Sequence, residues 1–391
     1  MTQERAKPFS PETIAIRAGR HPAEHRGYVN TPVYRGSTIL FPTLDALEAQ
    51  DPRSDYGRAW NPTAIGVEDC ITELERAAGT VLAPSGLSAI SLALMSVLGA
   101  GDDVLVTDSV YYPTRRFADG VLKRMGISVR YHDPRIGGGI ANLIRDNTRA
   151  IFVESPGSLT FEIQDIPAIA AAVKDRDVAV VADNSWATPL FCRPLELGAD
   201  IVVHTATKMF GGHSDVFLGT VSANDKWIRR VRDTHLRLGL TASPDDCFLT
   251  ARGLRTLPLR MKEFNARSIE LASWLETRPE VSRVIHPALR SHPDHALFAR
   301  DFSGAGSLFA VVLHPGERAA VARMVDGLEL YGMGYSWGGF ESLCLPIHPE
   351  RSRSATTWQA EGPMLRIHVG LEAMDDLKAD LAAGLARYRA G

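Results

Sequence analysis

The chain is poor in cysteine and has only four such residues, far apart and without a CxxC pair, among its 391 residues. Cysteines at such spacings argue against a disulfide framework and against a zinc site, and they are typical of a cytoplasmic protein. We therefore expect isolated thiols, no bound metal and a cytoplasmic location. The four are Cys70, Cys192, Cys247 and Cys344.

Signals for a membrane or for nucleic acid are also missing. No uninterrupted apolar run approaches the length that spans a bilayer. The N-terminal stretch MTQERAKPFSPETIAIRAG lacks the apolar core of a secretory signal. The net charge is −3, with acids and bases mixed along the chain. Without a basic block or an arginine and aromatic stripe, nucleic acid is not an expected partner.

What the chain does contain is an alternation of apolar runs and helical stretches from about residue 62 to residue 251. This pattern predicts an α/β fold with a mostly parallel central sheet that is covered on both faces. Helices are predicted at GLSAISLALMSVLGAG (86–101) and IPAIAAAVKDRD (166–177). The runs predicted as strands are 103–108, 127–133, 150–155, 178–184, 200–205 and 216–223.

The chain is too long to form one compact core, and changes in local composition divide it into three regions. Residues 1–60 are rich in Pro, Gly and Arg and predict an extended N-terminal arm, which needs something to lie against. Residues 61–251 predict the sheet domain, and residues 252–391 a smaller C-terminal α+β domain. Segment 245–278 predicts one long helix or a broken pair. Segments 306–314 and 364–372 predict strands, and 374–390 predicts a closing helix.

Polar residues stand where three of the strand-like segments end. Lys208 follows one buried run, Asp183 ends another, and Ser85-Gly86 leads a third into a helix. Taken singly, such residues are more often a solvated ammonium, a turn residue and a helix cap. However, parallel strands bring their carboxyl ends to one edge of the sheet, where ligands gather. Their joint occurrence therefore indicates a binding site.

Pyridoxal phosphate would account for these residues together. Its aldehyde needs a lysine, which Lys208 would supply. Its pyridine nitrogen needs a carboxylate, which Asp183 would supply. Its phosphate needs hydroxyl groups and the free amides of a helix N-terminus. The residues expected to bind this phosphate are Ser85, Gly86, Leu87, Thr205 and Thr207.

Seven motifs resemble the Cys/Met-metabolism family of pyridoxal-phosphate-dependent enzymes. They occur in the family's order and extend over nearly the whole chain. The resemblance implies the aspartate-aminotransferase fold, which is fold type I of the pyridoxal-phosphate-dependent transferases. The motifs are YGRAWNPT (56–63), PSGLSAI (84–90), VYYPT (110–114), ADNSWATP (182–189), TATKMFGGHSD (205–215), YSWGGFESL (335–343) and LRIHVGLE (365–372).

The resemblance implies roles at the matching positions. Lys208 would form the Schiff base and remove the Cα proton, and Asp183 would pair with the pyridine nitrogen. Tyr111 would stack on the ring and assist in catalysis. Tyr56 and Arg58 would reach the cofactor of a neighbouring subunit. The roles of Tyr56 and Arg58 imply a homo-oligomer, expected to be a tetramer built from two dimers, each of which shares active sites between its chains.

The substrate end of the site is implied in the same way. Arg366 would clamp the α-carboxylate, because a planar guanidinium suits a two-oxygen target. Ser336 and Trp337 would line the same site, and Trp337 would shape its mouth. Singly, an arginine on a strand that faces solvent and a tryptophan in the core are the ordinary alternatives.

Within the family, YSWGGFESL is most similar to the cystathionine β-lyase branch. The implied reaction is elimination of a thiol from cystathionine, giving homocysteine, pyruvate and ammonia, or from related cysteine S-conjugates. A γ-lyase or γ-synthase acting on homoserine-derived substrates is the alternative, because both reactions begin with the same carbanion. Arg116 stands where enteric-type β-lyases have an acidic side chain, so the preferred thioether or disulfide substrate stays open.

Two other classes have less support from the sequence. A nucleotide-binding oxidoreductase would need a GxGxxG spacing, which the run Gly137–Gly139 lacks, and no P-loop is present. A binding protein that retained only the fold would be expected to have lost Lys208, Asp183 or Arg366.

Overall fold

The computed structural model describes residues 9–49 and 56–389, and within them the chain forms two β-sheets flanked by helices. The predicted arm and the predicted C-terminal domain lie partly outside the described residues, at 1–8, 50–55 and 390–391. The described α-helices are α1 (Pro11–Arg17), α2 (Leu44–Glu48), α3 (Pro62–Glu75), α4 (Gly86–Val97), α5 (Tyr112–Phe117), α6 (Ile166–Val173), α7 (Thr188–Phe191), α8 (Ile228–Leu238), α9 (Pro244–Glu276), α10 (His295–Asp301), α11 (Arg318–Val325) and α12 (Met374–Arg389).

The larger sheet contains the six predicted strands and the strand-like segment before Ser85. Its strands are β1 (Gly79–Ala83), β2 (Asp103–Thr107), β3 (Ser128–His132), β4 (Thr148–Glu154), β5 (Ala179–Asp183), β6 (Ile201–Thr205) and β7 (Gly219–Ala223). They lie in the order β1-β7-β6-β5-β4-β2-β3. Only β7 runs antiparallel to its neighbours, so the sheet is mostly parallel, as predicted.

Helices cover this sheet on both faces. α4 packs on β6 and β7 with an apolar face that includes Ile90, Leu94 and Val97. It begins at Gly86 because the Ser85 side chain caps it by accepting the Ser88 N–H at 3.1 Å. α6 packs on the opposite face with its own apolar cluster. The strands are therefore buried on both sides, which explains their continuous apolar runs.

Register places three polar strand ends side by side. In the parallel pairs, Glu154 of β4 lies opposite Asp183 of β5, and Asp183 lies opposite Val203 of β6. Thr205 ends β6 two residues later. Because side chains alternate along a strand, Asp183 and Thr205 share the face that packs against α4. Asp183 and Thr205 therefore lie together at the edge of the sheet where the sequence predicts the site.

The smaller sheet is antiparallel and follows α9, a single helix of 33 residues that contains Pro258. Of the two expectations for 245–278, the long helix is the one observed. β9 and β11 match the predicted strands, and β8 and β10 are additions. The strands are β8 (Val281–Ile285), β9 (Leu308–Leu313), β10 (Leu343–Ile347) and β11 (Met364–His368), in the order β10-β11-β9-β8.

The N-terminal arm contacts the rest of the chain through α1 and through polar contacts of Pro32, Tyr34 and Arg35 with Thr63, Asn61 and Asp245. Ile14 and Ala15 of α1 are buried against α3 and α9. Between residues 21 and 49, most side chains are exposed. In the described ranges, no helix has both the length and the apolar character that crossing a membrane requires.

Candidate active site

Lys208 lies three residues beyond β6, in the turn that precedes Gly211 and Gly212. Its half-buried Nζ donates to Ser336 Oγ at 2.5 Å and lies 5.5 Å from the centre of the Trp337 ring. Burial and the nearby charge of Arg366 lower the pKa of Lys208 to about 8, although Asp183 acts to raise it. Lys208 is thus an amine with a substantial neutral fraction near pH 8.

Asp183 ends β5 and is 8% exposed. Its Oδ1 accepts the Ser185 N–H at 2.9 Å, and among the described residues no lysine or arginine forms an ion pair with it. Burial raises the pKa of Asp183, while Ser185 and the charges of His204 and Lys208 partly oppose this rise. A cation that reached this carboxylate would restore it to the ionised form.

The first turn of α4 is the part of the site where we expect an anion to bind. Its N-terminal N–H groups have no partners within the helix, and the helix dipole favours a negative ligand there. A Cβ atom on Gly86 would lie 2.2 Å from Thr205 Oγ1, so only glycine permits this approach of helix and strand. The Thr207 hydroxyl instead donates to Leu218 O at 3.3 Å and accepts from Leu218 N at 3.1 Å.

Tyr111 is the residue before α5, and its side chain is 45% exposed. Its backbone N–H donates to Glu154 Oε2 at 2.7 Å, which fixes the start of the helix. Burial and the carboxyl groups of Glu154 and Asp183 raise the pKa of Tyr111, and Arg366 opposes this. These electrostatic effects place the Tyr111 phenol in the same region as Asp183 and Arg366.

Arg366 and Ser336 form the opposite wall. Arg366 lies in β11, and its Nη2 donates to Ser336 O at 2.9 Å. Ser336 has a φ of 92°, a backbone conformation that residues other than glycine seldom adopt. Gly338 brings the same loop against Lys208, because a Cβ there would lie 3.0 Å from the Lys208 carbonyl carbon.

The guanidinium of Arg366 has capacity left for a ligand. It is half-buried, and among the described residues no carboxylate lies within ion-pair distance of it. Burial lowers the pKa of Arg366, while Tyr111 and Tyr335 act to raise it. A bound carboxylate would supply the missing charge partner, since the rigid fork of a guanidinium matches its two oxygens.

The structure does not bring three of the discussed residues to Lys208. Tyr56 forms a bridge with Thr38, and Arg58 donates to Leu236 O at 3.2 Å at the end of α8. In the described part of this chain, their hydrogen bonds are therefore with the arm and α8. Arg116 is exposed on α5.

Sequence reasoning missed three residues that shape the site. Glu154 lies beside Asp183 and holds Tyr111, Ser185 donates its N–H to Asp183, and His368 supports the Ser336 loop by accepting the Gly338 N–H at 3.2 Å. Burial lowers the pKa of His368 to about 3, so it accepts as a neutral ring. A polar residue at the end of an apolar run was the available signal for Glu154, and it resembles an ordinary strand end.

The residues present fit pyridoxal phosphate. The close approach of Gly86 to Thr205 brings a hydroxyl group beside the first turn of α4, while a buried carboxyl and a half-buried amine lie at the end of β5 and just beyond β6. These are the partners that a phosphate, a pyridine nitrogen and an aldehyde require. Fold and site together define a pyridoxal-phosphate enzyme with a large parallel sheet and a smaller antiparallel one.

The family model described as "Cys/Met metabolism PLP-dependent enzyme" matches residues 12–386, and the chain belongs to this family. The resemblance and the fold predicted from the sequence are therefore confirmed, and the cofactor is pyridoxal phosphate. Relatives with different names have similar identities, so the family alone does not single out one reaction.

A cystathionine β-lyase of Bordetella avium is 41% identical over 389 residues, covering 97% of this chain and 95% of the relative. Further bacterial relatives carry the same name. An L-alanine/L-glutamate racemase of Wolbachia pipientis is 38% identical over 392 residues, covering 96% of this chain and 97% of the relative. A cystathionine γ-synthase from Xanthomonas oryzae, crystallised with aminoacrylate and cysteine, superposes with a TM-score of 0.90 and 33% identity, covering 98% and 100% of the two chains.

Proposed function

We propose that the protein is a carbon–sulfur lyase that eliminates a thiol from Cβ of cystathionine or a related cysteine S-conjugate. The observation that carries the proposal is the chain of contacts from Lys208 Nζ through Ser336 to Arg366. It places an amine that can accept a proton beside an arginine without a carboxylate partner. Cystathionine β-lyases among the full-length relatives support the reaction.

Bound pyridoxal phosphate supplies an aldehyde that captures the substrate amine and a ring that withdraws electrons from Cα. Asp183 keeps the ring nitrogen protonated by pairing with it. The first turn of α4 and Thr205 hold the phosphate. Together these residues would hold the cofactor at its ring nitrogen and at its phosphate, and Lys208 would supply the amine for its aldehyde.

Substrate orientation and proton transfer fall to three side chains. Arg366 holds the α-carboxylate and thereby turns the Cα–H bond toward Lys208. Lys208 Nζ accepts that proton, because its lowered pKa leaves part of the amine neutral near pH 8. The Cβ–S bond then breaks, and the departing thiolate takes a proton from Lys208 or from the Tyr111 hydroxyl. Water completes the conversion of the remaining three-carbon fragment to pyruvate and ammonia.

The residues near the substrate's side chain determine which of the family's reactions the enzyme catalyses. Tyr335, Ser336 and Trp337 support β-elimination through their similarity to β-lyases. A γ-lyase or γ-synthase would use the same Lys208, Asp183 and Arg366. A racemase would return the proton to the opposite face of Cα without breaking the C–S bond. These are the alternatives that the product assay must separate.

The arm supports assembly with a second copy of the chain. Large apolar side chains are exposed there, including Tyr28 at 70%, Leu40 at 88% and Leu44 at 65%. Apolar surface of this extent needs a cover. A partner chain would supply it and would let Tyr56 and Arg58 reach the neighbouring active site. We propose dimers that share active sites, paired into a tetramer.

The cysteines support a reducing compartment. All four are buried and free of disulfides. Burial raises the pKa of Cys70 to about 11, and that of Cys247 and Cys344 to about 12, so these thiols are unreactive. We propose a cytoplasmic location, where the homocysteine product would be available for methionine synthesis.

A panel of substrates tests the proposal. Purified protein with added cofactor should release pyruvate and a thiol from cystathionine, cystine or S-alkyl cysteines. Formation of 2-oxobutyrate from cystathionine would instead indicate γ-chemistry, and D-alanine formed from L-alanine at a higher rate would indicate a racemase. Lys208→Ala should abolish turnover and serves as the control for the catalytic amine. Normal pyruvate release by that variant would contradict the mechanism.

A further inference from the structure

Two carboxyl groups lie next to each other at the cofactor edge of the large sheet. Glu154 and Asp183 are paired residues of the parallel strands β4 and β5, and each is the last residue of its strand. Paired residues of neighbouring strands point to the same face. The alternation of β4 and β5 places both side chains on the face that carries Thr205. Both carboxyl groups therefore lie at the edge where the cofactor would be held.

The two carboxyl groups differ in their surroundings. Asp183 accepts the Ser185 N–H and lies in the field of two basic side chains, His204 and Lys208. Glu154 accepts one backbone N–H, that of Tyr111, and no basic side chain of the described residues forms an ion pair with it. The anion is thus more stable on Asp183 than on Glu154.

Neighbouring carboxyl groups in a buried site do not both ionise readily, because each negative charge disfavours the other. When the surroundings of such a pair differ, the proton resides on the member with fewer stabilising partners. Burial and the charge of Asp183 raise the pKa of Glu154 well above its ordinary value, and the Tyr111 N–H opposes this only in part. The pKa shift agrees with the geometry.

We propose that Glu154 is a positioning residue that keeps its proton during the reaction. One of its oxygens holds Tyr111 through the backbone N–H, and its neutrality leaves Asp183 as the single negative charge at the ring nitrogen. The groups whose charges or hydrogen bonds act on this pair are Ser185 after β5, Tyr111 before α5, His204 on β6 and Lys208 beyond β6. Only the kinetic part of the test depends on the proposed function.

Infrared spectroscopy reads the protonation state directly. The spectrum of the wild-type holoenzyme should contain the carbonyl stretch of a protonated carboxylic acid at neutral pH, where an ordinary glutamate is ionised, and Glu154→Gln should remove it. Glu162→Gln is the matched control, because Glu162 is a buried glutamate that instead pairs with Arg353 at 2.6 Å. That variant should leave the band in place. A wild-type spectrum in which Glu154→Gln removes no such band would overturn the proposal, whether or not the enzyme is a lyase.

Kinetics test the positioning role. Glu154→Ala removes the acceptor of the Tyr111 N–H, so kcat/KM for thiol elimination should fall about tenfold to a hundredfold with cofactor still bound. Glutamine is neutral and can still accept this N–H, so Glu154→Gln should recover most of the loss. It should also keep the wild-type pH profile of kcat/KM. A shifted profile or a larger loss for glutamine than for alanine would show that the negative charge matters, and would overturn the proposal.

Discussion

At the level of single residues, the environment of Lys208 explains its chemistry. A lysine ordinarily has a pKa of 10.5, and burial together with Arg366 lowers this to about 8. The neutral form is the one that attacks an aldehyde, and its fraction grows as the pH rises through the pKa. We therefore expect this amine both to bind the cofactor and to accept a proton.

The first prediction concerns cofactor binding by the apoenzyme. The rate at which Lys208 captures added pyridoxal phosphate should rise with pH, with a midpoint near 8, and level off above it. Stopped-flow absorbance after removal of the cofactor measures this rate. Arg366→Gln removes the nearby cation, so its midpoint should move upward. A wild-type midpoint near the ordinary lysine value of 10.5 would contradict this account of the site.

The second prediction concerns Arg366 itself. Arg366→Lys keeps the charge but loses the fork that matches two carboxylate oxygens, so KM for the amino acid should rise about tenfold or more. The contact to Ser336 O would be weakened in the same variant. A matched control is Arg351→Lys, which changes a mostly exposed arginine of the β10–β11 loop and should leave KM unaltered. Equal KM values for wild type and Arg366→Lys would exclude the clamp.

At this level, the sequence predicted the site residues that belong to recognisable motifs. It missed those whose importance depends on which strands pair with each other. Lys208, Asp183 and Arg366 interrupt apolar strands or follow them directly, so they were visible. Glu154 ends its strand in the same way, but its importance depends on pairing with Asp183 across two strands. A single sequence does not reveal which strands are neighbours. The roles of the predicted site residues remain predictions.

At the level of elements, one loop of the smaller sheet is bound by hydrogen bonds to a residue that follows β2 of the larger sheet. The connection between β10 and β11 places its backbone N–H groups on the buried Asp108, with Ser354, Ala355 and Thr356 donating at 2.7 to 3.2 Å. Arg115 adds an ion pair to Asp108 at 2.6 Å. Since Asp108 precedes Tyr111 by three residues, this contact ties the loop to the start of α5.

The third prediction concerns the hydrogen bonds between this loop and Asp108. Asp108→Asn leaves Arg115 buried without its ion-pair partner and weakens several charge-assisted hydrogen bonds, so the free energy of unfolding should fall by about 3 kcal/mol. Denaturation by urea, followed by tryptophan fluorescence, measures the change. Asp119→Asn is the control, because its i,i+4 pair with Lys123 is largely exposed and should contribute less than about 0.5 kcal/mol. Similar losses for the two variants would show that the loop contributes little.

The order of elements was largely predictable, and the exceptions have physical causes. Continuous apolar runs identified the parallel strands, because these are buried on both faces. The apolar run of β8 is interrupted by the adjacent polar residues Ser282 and Arg283, and β10 contains Pro346 at a sheet edge. Proline is tolerated there because an edge strand needs fewer backbone N–H groups. Neither strand carries the pattern of a buried parallel strand.

At the level of the whole molecule, the arm is the part that a single chain does not explain. Its first helix is buried on α9 and α3, whereas Tyr28, Leu40 and Leu44 are exposed. Its motif residues Tyr56 and Arg58 are engaged with the arm and with α8. The sequence predicted an arm that needs a surface to lie against, and we expect a second chain to provide that surface.

Hybrid oligomers provide the fourth prediction and a direct test of shared active sites. Lys208→Ala removes the catalytic amine, and Arg58→Ala removes the arginine proposed to reach the partner's cofactor, so each variant alone should be nearly inactive. In a hybrid dimer, one site would carry both substitutions and the other would carry neither. Coexpressed chains that assort at random should therefore recover about a quarter of the wild-type turnover per site. Coexpression of Lys208→Ala with the double variant Lys208→Ala/Arg58→Ala is the control and should recover nothing. If each site were built from one chain, the two single variants would recover nothing either, and Arg58 would need a role within its own subunit at the end of α8.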